Sequence, residues 1–173
     1  MELFIDHKNY DANSEDESTR VTARGIIKRG DTYLFIFNKY GEYHLPGGGV
    51  ESDEELIEAL IREIEEETGY LIEKDSIQKW IHVAERRKGR ITEIFNMESY
   101  YFFCDVKDEM GTRKLDEFEI EEEYQTVWVT LEEAIKRDEE LLKTERGPLM
   151  VRDIKIIKLL LGQSDALMSV HNW

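Results

Sequence analysis

The sequence predicts an α/β fold, an α/β/α sandwich with a central mixed β-sheet, in one domain spanning residues 1–173. Two observations support this prediction. β-like runs lie on both sides of a long amphipathic helix, and further helix follows near the end of the chain. A chain of 173 residues with 40% hydrophobic residues can also bury a substantial core without disulfides.

Composition and charge restrict the partners that we expect. The formal net charge is -16, which repels long nucleic acid and anionic membranes and favours a small soluble ligand. The single cysteine, Cys104, excludes an internal disulfide and suits a reducing compartment. The sequence shows no apolar stretch of bilayer length and no recognisable secretion signal. A cytoplasmic protein with no membrane contact is expected.

The first part of the chain predicts a strand, a linker and a hairpin. Residues 1–19 are expected to form an N-terminal strand and an acidic linker. The runs 21–30 and 32–41 predict a hairpin that turns at residues 29–31. The segment 42–50 is dense in proline and glycine and predicts a shaped loop.

The clearest helix spans residues 53–68. Ser52 and Glu55 have the spacing of a capping box, and Gly69 stands where a left-handed C-terminal cap is expected. At about 100° of rotation per residue, one continuous apolar arc collects Leu56, Ile57, Leu60, Ile61 and Ile64. We expect this arc to pack against the core.

The second half of the chain predicts strands and then helices. The β-like runs 76–87 and 92–106 are joined by a basic turn, and a charged connection, 107–123, follows them. A strand at 125–130 leads into a second helix, 131–142, for which Thr130 is the expected N-cap.

The end of the chain predicts one more helix and a tail. A Gly-Pro break precedes a helix at about 149–161, whose apolar positions indicate docking on the body of the protein. The last residues, about 163–173, are expected to form a C-terminal tail.

Three glutamates of the first helix share one face. Glu63, Glu66 and Glu67 stand at positions i, i+3 and i+4, and Glu67 falls within the angular range of the apolar arc. Like charges clustered near a helix C-terminus are unfavourable without a compensating cation. A hard divalent cation would supply that compensation, because Mg²⁺ prefers carboxylate oxygens. A solvated acidic helix is the alternative explanation for such a charge run.

The wider spacing resembles the Nudix box. Gly48 is followed after five residues by Glu54, and after seven more by the run Arg62–Tyr70, REIEEETGY. Every charged and glycine position of the family pattern is matched. Tyr70 replaces the closing aliphatic residue, and Ser52-Asp53 stand where many members carry Pro-Gly. Neither departure removes a carboxylate.

The resemblance implies a Nudix-like fold and a Mg²⁺- or Mn²⁺-dependent hydrolase. Such an enzyme cleaves a pyrophosphate bond in a nucleoside diphosphate linked to another moiety, as in a nucleoside triphosphate, a nucleotide sugar or a dinucleotide. It also implies that Glu66 and Glu67 are the principal metal ligands, with Glu63 as a further ligand or as a carboxylate that positions water. Arg62 would orient the glutamates and Glu54 would brace the motif, so that Glu63, Glu67, Arg62 and Glu54 form the catalytic set.

The resemblance leaves the general base open, because its position varies within the family. Glu63 and Glu67 are candidates inside the box. The candidates outside it are Glu98, Glu121, Glu122 and Glu123. For each of these, an ordinary surface glutamate is the alternative.

Substrate contacts are expected from glycine backbone and from arginines. Gly47 and Gly48 allow close approach of a ligand because they carry no Cβ. Arg24 and Arg86 are candidate phosphate contacts, since a guanidinium group binds phosphate through two parallel hydrogen bonds. Balancing of neighbouring acidic groups explains both arginines equally well.

Two functions from other classes stay open. The first is a Nudix-fold module that binds a nucleotide without hydrolysing it, which the complete set of box glutamates argues against. The second is an isoprenoid diphosphate isomerase on the same scaffold, which would need a reactive cysteine. Cys104 lies in an apolar run and is expected to be an inert core thiol. Pairing of two copies into a homodimer is compatible with the predicted strands and terminal helices.

Overall fold

The computed structural model describes the backbone of residues 1–170 and the side chains of residues 1–162. Along this part of the chain the elements are β1 (Glu2–Asp6), β2 (Glu17–Ile26), β3 (Lys28–Arg29), β4 (Thr32–Phe37), β5 (Tyr43–His44), β6 (Gly47–Gly49), α1 (Leu56–Thr68), β7 (Tyr70–Ile72), a 3-10 turn (Lys74–Ser76), β8 (Gln78–Lys88), β9 (Ile94–Phe103), β10 (Val106–Met110), α2 (Glu117–Glu121), β11 (Gln125–Val129), α3 (Leu131–Leu141) and α4 (Gly147–Val170). None of the described helices is long and apolar enough to cross a membrane.

The chain forms two compact units, each built from two separate stretches of sequence. The first unit contains Met1–Ile27 and Pro46–Lys114, and the second contains Lys28–Leu45 and the chain from Leu115 onward. The candidate Nudix box lies entirely in the first unit. A single domain over residues 1–173 stays a prediction.

A five-stranded mixed sheet organises the first unit, with the strand order β1-β8-β9-β2-β6. β1 pairs with β8 and β2 pairs with β9 in parallel, whereas β8 with β9 and β2 with β6 are antiparallel. The predicted turn after residue 87 joins β8 to β9. Together with the packed helices, this sheet confirms the predicted α/β architecture with a mixed sheet.

The glycine-rich segment 42–50 contains an edge strand, which corrects the prediction of a loop. Gly48 lies opposite Ala23 of β2, and Gly47 lies opposite Arg24. Successive glycines are typical of turns, but here β2 offers their N–H and C=O groups hydrogen-bond partners. The backbone of β6 therefore becomes part of the sheet.

Helix α1 begins three residues later than the sequence pattern suggested. Its N-cap is Glu55, which forms a capping box with Glu58. The predicted box from Ser52 to Glu55 is wrong, because the Glu54 carboxylate closes a turn over residues 51–54. Residues of this turn are not available to start the helix.

One face of α1 packs into the core of the first unit. Leu60 and Ile64 are fully buried, and Glu67, only 5% exposed, is buried beside them as its angular position indicated. Ile57 is 39% exposed, so the predicted arc is corrected there, because the first turn of the helix stands partly in solvent. Gly69 ends the helix in the left-handed conformation with φ 76°, as predicted.

The predicted charged connection 107–123 is also corrected. It contains β10, which pairs with β7 in a two-stranded sheet, and α2, which is capped by Asp116 and Glu119. The sequence pattern did not indicate β10 or α2, because both elements carry exposed charged side chains and show no apolar periodicity.

The second unit contains a small antiparallel sheet and two packed helices. Its strand order is β11-β4-β3, with β5 paired to β4. The predicted turn at residues 29–31 is present between β3 and β4. The expected hairpin is shorter than predicted, because residues 17–26 pair in the other sheet as β2.

β11 confirms the predicted strand. Helix α3 is capped as predicted by Thr130, which accepts a hydrogen bond from the Glu133 N–H.

Helix α4 begins at Gly147 and packs on α3. Leu141, Met150 and Ile154 form a buried cluster between the two helices. Proline is favoured in the first turn of a helix, which accounts for Pro148 at this position. The backbone helix runs to Val170 and is longer than the predicted 149–161. The predicted tail, about 163–173, lies outside the described side chains, and its last three residues lie outside the described backbone.

A buried ionic cluster stabilises the segment 38–44 of the second unit. The His44 Nδ1 lies 2.7 Å from Asp153, and its Nε2 lies 3.2 Å from Glu42. Glu42 also accepts hydrogen bonds from the Arg146 guanidinium and from the Asn38 amide. A neutral imidazole has one N–H, so two carboxylate acceptors favour the protonated ring.

The same contacts shift the pKa values of the cluster. Burial opposes ionisation of His44, but hydrogen bonds to Asp153 and Glu42 outweigh it and raise the pKa of His44 to about 9. Burial likewise opposes ionisation of Glu42, but the hydrogen bond to His44 and then that to Arg146 lower its pKa to about 2. His44 and Glu42 are therefore both charged at neutral pH.

Leu60→Ala should lower the free energy of unfolding by about 2–5 kcal/mol, because it removes a fully buried side chain and leaves a cavity. Ile57→Ala in the exposed first turn is the matched control and should change it far less. Urea denaturation of the three proteins measures both effects. Equal losses for the two variants would show that the helix faces are assigned wrongly.

Removal of His44 should destabilise the protein in a pH-dependent way. Because folding raises the pKa of this group from 6.5 to about 9, its stabilisation is fully present below pH 6.5 and is lost as the pH rises through 9. His44→Gln should therefore lower the free energy of unfolding by about 2–3 kcal/mol at pH 6, and by much less at pH 10.

Urea denaturation at both pH values tests this prediction. The pKa of the neighbouring Asp138 is raised to about 7 by burial. The His44 charge lowers the pKa of Asp138, so the difference between the two proteins reports His44 together with its coupling to this carboxyl. A difference that stays constant from pH 6 to pH 10 would contradict the charged imidazole.

Candidate active site

Arg62 joins the separate parts of the candidate box. Its Nε and Nη2 donate to the two Glu54 oxygens at 2.7 and 2.8 Å. Its Nη1 donates to Glu63 at 2.8 Å and to Glu66 at 3.3 Å. A further bond from Nη2 reaches the Gly49 carbonyl at 2.9 Å. One guanidinium thus connects the glycine strand, the turn before α1 and the carboxylate face of the helix.

The Arg62–Glu54 pair is the strongest electrostatic contact in this group. Its hydrogen bonds hold the pKa of Glu54 at about 2, and Glu54 is the main cause of the raised pKa of Arg62. Both side chains are charged at neutral pH. Their bidentate geometry fixes the guanidinium plane as well as its position.

Glu67 is held against the glycine strand. Its carboxylate accepts a hydrogen bond of 2.7 Å from the Gly47 N–H. Gly47 has φ 128°, a backbone conformation that side-chain-bearing residues rarely adopt, and lies opposite Arg24 in the sheet. Glycine at this position therefore lets a backbone N–H point at the buried carboxylate.

Glu63 occupies the space above Gly48. A Cβ at residue 48 would lie 2.3–2.9 Å from the carboxyl atoms of Glu63, so only glycine leaves room for this carboxylate. The carboxylate oxygens of Glu63 and Glu67 lie within 4.8 Å of each other. Glu66 is different, because its side chain is 39% exposed and pairs with Arg62.

These residues fit a divalent metal ion. Glu63 and Glu67 offer hard oxygen donors close enough to share one cation, and Mg²⁺ and Mn²⁺ prefer such donors. The glycine backbone beside them leaves a cradle that a Cβ would fill. Two carboxylates so close together repel each other unless a cation lies between them or a proton is shared. The donor set therefore matches the metal that the sequence predicted.

The structure brings one of the predicted arginines to the box and not the other. Arg24 lies on β2 directly opposite Gly47. Arg86 lies on β8 in register with Asp6, near the opposite end of the sheet, where its guanidinium is 3.7 Å from Glu17. This placement favours charge balancing for Arg86. The substrate role of both arginines stays a prediction.

Of the general-base candidates outside the box, Glu98 and Glu122 have other partners. Glu98 lies 2.5 Å from the His82 Nε2. In the second unit, Glu122 is buried and lies 3.5 Å from the Asn38 amide, whereas Glu121 and Glu123 are exposed. Glu122 is thus no ordinary surface glutamate. The identity of the base stays a prediction.

Cys104 is an inert core thiol, which argues against the isomerase alternative. It is 4% exposed, and burial raises the pKa of its thiol to about 12. A thiol with this pKa carries almost no thiolate at neutral pH, and the thiolate is the reactive form.

A cavity borders α1 on the side of Glu66. Its volume is about 640 Å³, and Leu71, Lys74 and Lys114 contribute to its lining. Ligand pockets commonly have about 300–1,000 Å³. Arg62 and three glutamates, Glu58, Glu65 and Glu66, also line the cavity. Its cations and carboxylates therefore balance, and the lining favours neither sign of charge in a ligand.

Sequence reasoning missed one contact of the carboxylate helix. Arg113, from the segment predicted as a charged connection, donates through Nε to the Glu67 carbonyl at 2.6 Å. The two residues are 46 positions apart, so no local spacing could indicate the contact. The last carbonyls of any α-helix have no hydrogen-bond partner within the helix. This is the general signal that a donor from elsewhere is needed.

Comparisons with known proteins identify the family of this chain. The family model described as NUDIX domain matches residues 19–150, most of the chain. The chain therefore belongs to the NUDIX family and is a Nudix-type pyrophosphohydrolase. This confirms the resemblance that the box predicted. Comparison with curated proteins gave no match.

Solved structures with the same fold come from several bacteria. A MutT protein from Bacillus halodurans has a TM-score of 0.56 at 16% identity, with 80% of each chain covered. A NUDIX hydrolase from Nitrosomonas europaea has a TM-score of 0.54 at 21% identity, covering 80% of this chain and 90% of that one. The ORF135 protein of E. coli has a TM-score of 0.51 at 19% identity, covering 87% and 94%. At these identities the likeness shows the fold alone, and it confirms the predicted Nudix-like fold.

Gly48→Ala should displace the Glu63 carboxylate and weaken Mn²⁺ binding by about 10-fold or more. The new Cβ would overlap the carboxyl group, whereas the backbone at this position accepts alanine. Gly49→Ala is the matched control, since its Cβ would lie 3.3 Å from the flexible end of Arg20. Titration of free Mn²⁺ by electron paramagnetic resonance measures affinity, and circular dichroism checks the fold. Equal Mn²⁺ affinity in the two folded variants would mean that Glu63 is not a ligand.

Proposed function

We propose that this Nudix protein hydrolyses the pyrophosphate bond of a small nucleotide with Mg²⁺ or Mn²⁺. The substrate class is a nucleoside diphosphate linked to another moiety: a nucleoside triphosphate, a nucleotide sugar or a dinucleotide. One observation carries the proposal. The buried Glu67 carboxylate faces that of Glu63 beside a strand of glycine backbone, which is a costly arrangement unless a cation binds there.

The metal would be held by the carboxylate face of α1. Glu63 and Glu67 would be its principal ligands, with Glu66 as a further ligand from the exposed side of the helix. When bound, such a cation would neutralise charge on the phosphate oxygens and make a bound water more acidic. Catalytic roles for Glu63, Glu67, Arg62 and Glu54 belong to this proposal.

The remaining residues would position the reactants. Arg62, fixed by Glu54, restricts Glu63 and Glu66 to one arrangement and reduces the reorganisation needed for binding. Gly47 and Gly48 would let the substrate diphosphate approach the backbone closely. Arg24 would bind a phosphate oxygen from the neighbouring strand. Glu63 or Glu67 would accept the proton of the attacking water.

The chemistry of the substrate follows from the surroundings of the site. The cavity beside Glu66 would take the group attached to the diphosphate, and its mixed lining of lysines and glutamates would suit a polar group. The net charge of -16 disfavours long nucleic acid, so a small nucleotide is the proposed substrate. Cytoplasmic location and homodimer formation stay predictions.

Glu67→Gln should abolish metal-dependent turnover while leaving the protein folded, because the amide keeps the shape of the side chain but loses the anionic donor. Purified protein with Mg²⁺ or Mn²⁺ is incubated with a panel of nucleoside triphosphates, nucleotide sugars and dinucleotides, and products are separated by chromatography. The products identify the phosphorus that is attacked.

Glu73→Gln is the control, because it makes the same chemical change at an exposed position outside the box. It should retain wild-type turnover. Full turnover in the Glu67→Gln protein, or no turnover of any panel member by the wild type, would contradict the proposal.

A further inference from the structure

The C-terminal turn of α1 concentrates negative charge. It carries Glu66 and Glu67, and the last carbonyls of any α-helix have no partner within the helix and bear partial negative charge. Negative side chains next to negative carbonyls favour fraying of the turn. A metal site that depends on this turn needs the turn to be held in place.

The segment Gly111–Lys114 holds it. The Lys114 N–H donates to the Glu66 carbonyl at 2.8 Å, and the Gly111 N–H donates to the Gly69 carbonyl at 2.7 Å. Between them the Arg113 Nε donates to the Glu67 carbonyl at 2.6 Å. The segment continues directly from β10, which is paired with β7, the strand that follows α1. It therefore extends a β-ribbon onto the end of the helix.

Two further carbonyls of the turn also have partners. The Ile64 carbonyl accepts from the Thr68 hydroxyl at 2.6 Å, and the Glu65 carbonyl accepts from the Gly69 N–H at 3.0 Å. These donors are neutral. Arg113 brings a positive charge to the end of the helix, where the helix dipole and the neighbouring carboxylates both favour a cation. Its side chain is half-buried, which limits screening by solvent.

We infer that Arg113 is a positioning residue for the metal site. Through the Glu67 carbonyl it fixes the backbone from which the Glu67 carboxylate reaches Gly47, and its charge offsets part of the repulsion among the carboxylates. Without Arg113, the last turn of α1 must be ordered when the metal binds, which lowers the affinity. This inference rests on the proposed function, because it presumes that Glu67 binds the metal.

The test measures Mn²⁺ binding by paramagnetic resonance in the absence of any substrate. Arg113→Ala should weaken Mn²⁺ affinity by about 10-fold, the range found for partners that orient metal ligands. Arg113→Lys restores the cation and one donor, and should recover affinity to within about threefold of the wild type. Lys107→Ala removes an equal charge from an exposed position on the same ribbon and should bind Mn²⁺ like the wild type.

The outcomes separate this inference from the proposed function. No Mn²⁺ binding by the wild type would overturn both. Wild-type binding that persists unchanged in folded Arg113→Ala would overturn the positioning role alone. A lowered melting temperature with unchanged Mn²⁺ affinity would also overturn it, because Arg113 would then only stabilise the fold. Loss in Arg113→Ala with recovery in Arg113→Lys supports it.

Discussion

Carboxylates on one helix face repel one another, and the Arg62 guanidinium is the group that keeps them together. It contacts Glu54, Glu63 and Glu66 as well as the Gly49 carbonyl. One planar cation therefore fixes these four groups relative to one another, whereas Glu67 is held by the Gly47 N–H. Lysine could not substitute for it, because a single ammonium group cannot form these fork-shaped contacts. The arrangement also explains why the box tolerates Ser52-Asp53 before the helix, since neither residue contributes to this network.

Local patterns were sufficient for the features that depend on one segment. Leu60, Ile64 and Gly69 behave as the periodicity of α1 and its C-cap predict, because helix geometry alone fixes their positions. The same holds for the burial of Glu67, which follows from its angle on the helix. The spacing from Gly48 to Tyr70 indicated the family for the same reason: the chemistry lies within one continuous stretch of chain.

Features that depend on a distant partner were not predictable from local patterns. The helix N-cap shifted from Ser52 to Glu55 because Glu54 is bound to Arg62 eight residues away. Gly47–Gly49 became a strand because β2 lies beside it. The cluster around His44 joins residues 109 positions apart, and the ribbon that holds α1 comes from a segment whose charges suggested a connection. In each case tertiary context decided between conformations that the sequence allowed.

The site must form in a certain order during synthesis, because the groups that hold the end of α1 come from a later part of the chain. Arg113 follows Glu67 by 46 residues. A ribosome adds about 5–20 residues per second, so it completes the helix some seconds before it makes the segment Gly111–Lys114. β2 likewise waits for β9, its parallel neighbour more than seventy positions later in the chain. Pairings of such long range form slowly. The nascent chain therefore carries every carboxylate of the box before the segment that holds the end of α1 has been made.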